Sequence, residues 1–469
     1  MTAKRAKSKG IEAKLVIIGG GGAGLSAALT AAEMGATDII VVEKRRSPGG
    51  NTALAGGLFA CESPVQAREK IIADKDSLFK KAMDWAHWSR IDPAIIRVFL
   101  GKSGDTIRWL EEKGLEFNLV RLYPDQQPPV QHNPRGNGEK LVKVLVQNCR
   151  DLGVQILLQS SCKKIIRGKD GNVAGVLVLK GDAEIEIKTG CVIIATGGFA
   201  GNRELLKKYF PSYCDGLALS GLPLTGDGLF LAEEAGAAIE DFATMIKEGP
   251  RLDLHKWPLM IYERDPATLW VNKDGKRFTD ETIGSHVFES VNMMLRQPDK
   301  VSYALFDATI RKTFEERMPG LEKALGVEEG KGRVKLAASW EEMAHWIGAE
   351  PEVLKDTITR YNDFCRREYD ADFAKEKKYL RPLETPPYYA IKGLAVMLDT
   401  IGGIRINERM EVLDRQNNPI TGLYAAGVAT SGWESETYCS DLSASAFGFA
   451  INSGRIAGEN AVGHVNNYQ

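Results

Sequence analysis

Residues 15–43 read LVIIGGGGAGLSAALTAAEMGATDIIVVE, and their types and spacing fit one task closely. An apolar run leads into a glycine turn, a helical pattern follows, and a second apolar run ends in an acid. Gly19 permits a tight turn off a strand, Gly21 lets the backbone approach a pyrophosphate, and Gly24 lets a helix pack closely on a sheet. The N–H groups that open the helix then face phosphates. Glu43 places a carboxylate where ribose hydroxyls donate to it. A bare glycine pattern is weak evidence. With a strand before it, a helix after it and an acid at this distance, it predicts a dinucleotide site.

The elements around this unit follow from the rest of the chain. The 469 residues are enough for two or three domains, and 43% hydrophobic with 26% charged residues is an ordinary globular composition. A formal net charge of −1 gives no reason to expect nucleic acid or an anionic membrane as partner. The basic stretch at residues 1–10 reads as a disordered tail, and the absence of an apolar run after it argues against a secretory signal. No transmembrane segment is expected, because every apolar run is too short. Seven cysteines, at 61, 149, 162, 191, 214, 365 and 439, contain no CxxC pair, so zinc, iron–sulfur and c-type haem lack their spacing. Their odd number and scatter suit a reducing cytoplasm.

After Glu43 comes a small-residue loop, Ser47 to Gly57. Helical patterns follow from Pro64 to about Gly114, then a Pro- and Gly-rich loop to Gly138, a helix to Gly153, and strands such as VAGVLVLK. CVIIATGG at 191–198 is a buried strand ending in a small-residue turn. Without its own βαβ unit, it is expected to close over the same cofactor. TGDG at 225–228 opens a further helix, LFLAEEAGAAIED. From 242 to 388 charged helical stretches dominate, with a hairpin at Trp270–Phe278 carrying an Asp-Gly turn. Glycine-ended strands return from 389. The expected fold class is α/β: a discontinuous Rossmann-like dinucleotide-binding domain with an inserted α+β capping domain. Its bounds are 11–241 and 389–469 for the first and 242–388 for the second.

These motifs carry a resemblance. GGGGAG at 19–24, GGNTALAGG at 49–57, ATGG at 195–198, TGDG at 225–228, VNKDGKRFTDE at 271–281, TIGGIRIN at 400–407, ITGLYAAG at 420–427 and SGRIAGENA at 453–461 stand in one order. The chain resembles the flavoprotein family of fumarate reductase and succinate dehydrogenase, with 3-ketosteroid dehydrogenases and urocanate reductase as relatives. The resemblance implies non-covalent FAD. Gly19, Gly21, Gly24 and Glu43 would hold its ADP half, and Asn51, Thr52, Ala53 and Gly57 would line the isoalloxazine ring. Gly22, Ala23, Lys44, Gly50, Ala55 and Gly56 would also belong to the cofactor site. Ala195, Thr196 and Gly197 would pack near adenine and ribitol, with Asp227 close by. Gly427 and the start of the last helix, from Ser443 and Ala444 to Ala446, would face the ribityl chain and pyrimidine edge, where a helix N-terminus stabilises negative charge.

The substrate side departs from that family. Alignment on its motifs puts Ser285 at the proton-donor arginine, Asp399 and Gly249 at two histidines, and Asp441 at a carboxylate-binding arginine; Arg264 matches a family arginine. An aspartate in place of a bidentate arginine repels a carboxylate, so fumarate and succinate are disfavoured. Tyr438 lies where ketosteroid dehydrogenases carry a tyrosine. A phenol there can donate to a carbonyl and stabilise an enolate. Tyr438, Arg264 and His286 are the candidate catalytic residues. Tyr262, His132 and Arg135 are weaker ones, and Trp257, Met260, Tyr262 and Trp433 are candidate pocket walls.

The expected function is FAD-dependent hydrogen transfer across a C–C double or single bond beside a carbonyl or carboxyl group. The substrate would be a small unsaturated carbonyl compound or acid, with a separate protein, quinone or carrier exchanging electrons. The alternatives are an electron-transfer subunit of a larger complex and an amine or amino-acid oxidase.

Overall fold

The computed structural model describes residues 11–123, 126–210, 213, 217–249, 259 and 264–467. The chain divides into two compact units. The first holds Met1–Tyr209, Gly221–Thr244 and Asp399–Gln469; the second holds Phe210–Ser220 and Met245–Leu398. The expected divisions at 242 and 389 therefore shift. The strand Tyr388–Ile404 runs as far as Leu398 within the second unit because its antiparallel partners, Val301–Asp307 and Val334–Ala337, lie there. Residues 218–219 join the second unit because they pair with Val396 and Met397 of the same strand.

The first unit is built on a six-stranded sheet. Its strands are β1 (Leu15–Ile18), β2 (Ile39–Val42), β3 (Gln155–Leu157), β4 (Val192–Ile194), β5 (Glu411–Leu413) and β6 (Pro419–Ala425). The spatial order is β3-β2-β1-β4-β6-β5, parallel throughout except for the β5 edge. Strands β1, β2 and β4 are buried along their whole length. That is why they read as unbroken runs of Val, Ile and Leu and not as alternating patterns. Two helices cover the glycine end: α1 (Gly22–Glu33) and α2 (Ser445–Asn467). They meet backbone to backbone. A Cβ on Gly454 would lie 2.2 Å from the Ala23 carbonyl oxygen, and one on Gly458 2.5 Å from that of Ala27. The SGRIAGENA motif thus places two glycines one helical turn apart on the face that meets α1.

Two smaller sheets complete this unit, one of Ile11–Glu12, Ala183–Lys188, Val173–Lys180 and Ser160–Arg167, the other of Leu58–Phe59, Gln131–Pro134 and Phe117–Val120. The helix after TGDG is shorter than its pattern predicts. It ends at Glu234 because Gly236 turns into the left-handed region, and the chain enters a strand, Ile239–Gly249.

The second unit is α+β. Its sheet orders Ala218–Leu219, Tyr388–Ile404, Val301–Asp307 and Leu269–Val271, and helices such as Pro351–Arg367 pack with it around Leu305, Phe306, Phe314, Leu354 and Tyr361. The expected hairpin is present. Val271 bridges Arg277, Gly275 has φ +76°, and Asn272 Oδ1 accepts from the Asp274 and Lys276 amides. Behind it lies a buried ionic network. Arg277 forks onto Glu281 at 2.8 and 2.9 Å, and its other nitrogen meets Asp370 at 2.8 Å. Lys375 Nζ lies 3.0 Å from Glu281. The described residues contain no helix long and apolar enough to cross a membrane and no cluster able to hold a metal ion.

Candidate cofactor and active site

The glycine turn is shaped by what it leaves out. A Cβ on Gly19, whose φ is +111°, would lie 2.3 Å from the Ala195 carbonyl oxygen, and one on Gly24 1.9 Å from the Gly19 carbonyl oxygen. Gly21 caps α1, and the Gly22 amide donates to Thr52 Oγ1 at 3.1 Å. Gly427, with φ +78°, brings the end of β6 against Ala23, and its amide donates to Ser453 Oγ of α2. Glu43 is buried; its two oxygens accept from the Gly20 and Arg45 amides at 2.7 Å each. The carboxylate is held by backbone donors at the tip of β2 and keeps further lone pairs for hydroxyl donors.

Lys44 donates to Thr225 and Asp227 at 2.8 Å each, so TGDG is tied to the end of β2. Burial pushes the Asp227 carboxyl up, but the Lys44 ammonium and Thr225 hydroxyl outweigh it and hold the group below its ordinary range. Gly197, at φ +74°, closes the turn after β4, and the buried Thr196 Oγ1 has no hydrogen-bond partner among the described residues. Cβ-free walls, a helix N-terminus, a terminal acid and an orphaned hydroxyl together fit the ADP half of FAD.

Residues Gly50–Leu54 form a 3-10 turn, with Gly50 at φ +54°. Its backbone is held from behind. Gly138 donates to the Ala55 carbonyl, and a Cβ on Gly138 would reach 1.8 Å from the Thr52 oxygen. Gly57 is as tightly confined, 2.0 Å from Asn133 Oδ1 by the same measure, whereas Gly56 faces open space. Asn51 links two segments: Oδ1 accepts from the Leu222 amide and Nδ2 donates to Asp399 Oδ2, both at 2.7 Å. Asp399 is 5% exposed. Burial pushes its carboxyl up to about 7, against the pull of the Asn51 and Thr400 hydrogen bonds.

The approach to α2 carries the remaining candidates. Ser443 is fully buried, and Ala444 holds a left-handed φ of +64° while its carbonyl accepts from the Phe59 and Gly448 amides. Tyr438 is buried, and its hydroxyl oxygen accepts from the Ala446 amide at 2.9 Å, in the first turn of α2. Burial raises its phenol well above the usual range, so it stays protonated. Gln126 holds this loop from the other side. Its amide donates to the Ser440 carbonyl, the Asp441 carbonyl and Ser443 Oγ at 3.0–3.2 Å. The sequence signalled no role for Gln126, which sits in a Pro-rich loop with no local pattern. Asp441 is partly exposed, hydrogen-bonded by Tyr123 and 3.9 Å from Lys81. Its charge is answered at the surface, which weakens the repulsion argued from sequence.

In the second unit, the backbone of Arg264 packs on Gly284, so Arg264 and the Ser285–His286 turn come together. Asp265, next in the chain, pairs with Arg317. Ser285 donates to the Thr282 carbonyl, and His286 Nδ1 lies 3.4 Å from Glu289. His132 is not a free loop residue. It lies buried in a strand, bonded to Ser63 at 2.7 Å and to the Val130 carbonyl at 3.0 Å, and burial lowers it to about 4. Arg135 pairs with Glu116 on the surface. Trp433 is buried and stacked on Phe449 at 4.7 Å. Trp257, Met260 and Tyr262, Cys214 and the basic start at 1–10 lie outside the described residues.

Residues 14–436 match the profile of the FAD binding domain family. The chain is 31% identical over 455 residues to "Fumarate reductase (cytochrome)" of Shewanella frigidimarina, covering 95% of this chain and 76% of that protein. It is 29% identical over 478 residues to "Vinyl phenol reductase" of Lactiplantibacillus plantarum, covering 95% and 96%. Among solved structures, the open conformation of a flavocytochrome c3 fumarate reductase superposes with a TM-score of 0.79 at 26% identity, covering 97% of this chain and 79% of that one.

Proposed function

The chain belongs to the FAD binding domain family, and on that premise we propose that it transfers hydrogen across a carbon–carbon bond conjugated with a carbonyl or carboxyl group. FAD is its cofactor. The proposed substrate is a small enone or unsaturated monoacid and not a dicarboxylate. Relatives described as fumarate and vinyl phenol reductases support the reaction class.

The observation that carries the substrate choice is the fate of two acids. At positions where the resembled dicarboxylate enzymes use histidine and arginine, this chain has Asp399, bound to Asn51, and Asp441, bound to Tyr123. Neither offers the bidentate donor that a carboxylate needs.

When bound, FAD supplies hydride exchange with the substrate's β carbon. In this reading it is held without a covalent link by Gly19–Gly24, Glu43, Lys44, Gly50–Gly57, Ala195–Gly197, Asp227, Gly427, Ser443 and Ala444. Tyr438 supplies the acid. Its oxygen accepts from the Ala446 amide, burial keeps its proton on, and its proposed role is to deliver that proton to a substrate oxygen. Arg264 and His286 form the alternative proton-donor pair. Electrons come from a separate carrier, protein or quinone, as the cytochrome in the Shewanella relative's name suggests. The six described cysteines are all free, which fits the reducing cytoplasm proposed as its location.

The test uses the holoprotein with reduced methyl viologen as electron donor. A neutral enone, a cinnamate-like acid and fumarate are compared, and each product is checked by mass for two added hydrogens. The reading expects kcat/KM for the enone or monoacid to exceed that for fumarate by about 100-fold, a difference typical of lost or gained polar contacts. Fumarate as the best substrate would overturn it.

A further inference from the structure

Asp399 is a buried acid on which no cation among the described residues acts. Its Oδ1 accepts from the Thr400 amide at 2.8 Å and its Oδ2 from Asn51 at 2.7 Å. Room for it is made by Gly198, where a Cβ would lie 2.4 Å from Asp399 Oδ1 and from Thr400 Oγ1 alike. Thr400 Oγ1 in turn accepts from the Phe199 amide. The described residues that meet the carboxyl, Asn51, Gly198 and Thr400, contribute no titratable side chain, and no charged group among the described residues acts on it. The Asn51 amide has one orientation. The Leu222 N–H demands an oxygen, so Nδ2 must face Asp399.

A buried carboxylate answered by neutral dipoles alone is poised between its two protonation states, because desolvation opposes the charge and no cation restores it. Both of its oxygens already accept hydrogen bonds from the protein, so a proton can bind there without breaking the Asn51 or Thr400 contact. Asn51 stands in the Gly50–Leu54 turn, so whatever charge forms beside that turn acts on Asp399 through one side chain.

We propose that Asp399 is a proton-holding residue that gains a proton when the bound flavin is reduced, with Asn51 as the link to the ring-facing turn. The inference rests on the reading that places Asn51 beside the ring. The balance is simple. A chemical reductant supplies two electrons to the bound flavin, and one proton leaves the hydronium or buffer acid that carries it and forms an O–H bond on Asp399, which removes the carboxylate's charge. Burial pushes the carboxyl up to about 7 with no flavin charge beside it, so the titration is run above that, at about pH 8.

The experiment is an anaerobic dithionite titration of the FAD-loaded protein at about pH 8 in weak buffer, counting protons taken up per two electrons with an indicator dye. It is paired with an oxidised-minus-reduced infrared spectrum. The wild type is expected to take up close to one proton more than Asp399→Asn, and to gain a protonated-carboxyl band on reduction that the variant lacks. The exchanged pair Asn51→Asp/Asp399→Asn keeps each hydrogen bond and returns a carboxyl to the site, so it restores the extra proton. Equal proton counts in the wild type and Asp399→Asn overturn the proposal. If the variant loses FAD, a wild-type spectrum without a new carboxyl band overturns it alone. A protein that shows the extra proton but prefers fumarate overturns the substrate reading and leaves this one standing.

Discussion

His132 and Tyr438 show how surroundings decide what a titratable side chain can do. His132 is buried, with Ser63 and the Val130 carbonyl as its partners, and its imidazole falls from 6.5 to about 4. The unfolded chain therefore binds more protons between those values. The contribution of the neutral ring to stability is complete above about pH 6.5 and is lost as pH falls toward 4, by at most about 3 kcal/mol. Urea titrations at a series of pH values should show this slope, and His132→Asn should flatten it. Tyr438 is the opposite case, a phenol that burial keeps protonated, as its proposed role as donor requires. Tyr438→Phe strips the Ala446 amide of its acceptor, which costs about 1–3 kcal/mol. Loss of an acid costs about 10²–10⁴-fold in turnover. Turnover at a temperature where the variant is still folded should fall by that larger factor. A decline no greater than the loss of folded protein would leave Tyr438 as a helix cap.

At the scale of elements, the dinucleotide unit depends on missing side chains. The helix α1 crosses Gly19 so closely that a Cβ on Gly24 meets a carbonyl oxygen at 1.9 Å, and backbone cannot yield as a flexible side chain can. Gly24→Ala should purify with little or no FAD, as the ratio of flavin absorbance to protein would show. This unit was legible in the sequence because its constraints are local: apolar runs make strands, glycines make the turn, and the acid comes at a fixed distance. The approach to α2 was not. The Gln126 clasp joins residues more than three hundred positions apart, and neither end has a local pattern. Ala444 occupies a left-handed position where glycine is the usual signal, so the turn before α2 is hidden from a reading that looks for glycine. The helix predicted through residue 241 stops at Glu234 for a reason that was visible, Gly236, but the strand after it is set by tertiary pairing.

At the scale of the whole molecule, two units each carry a core and are held by different means. The second depends on four buried charges, Arg277, Glu281, Asp370 and Lys375, whose geometry the KRFTDE motif supplies in part, since Asp370 and Lys375 come from a distant segment. Glu281 is fully buried, and its two cations hold its carboxyl below the usual range against the cost of burial. Glu281→Gln leaves Arg277 and Lys375 with one acid between them, and should destabilise the protein by about 3–5 kcal/mol in chemical denaturation. Fold class and a dinucleotide site were readable from glycine geometry, whereas FAD in particular was implied by the order of motifs shared with the resembled flavoproteins. The proposed substrate choice rests only on difference, on acids standing where cations would be expected, and the structure shows those acids engaged by Asn51 and Tyr123. The most direct test mixes the dithionite-reduced protein anaerobically with a neutral enone or with fumarate in a stopped-flow instrument and follows reoxidation of the flavin. The account predicts a second-order rate constant for the enone about 100-fold above that for fumarate; faster reoxidation by fumarate would contradict it.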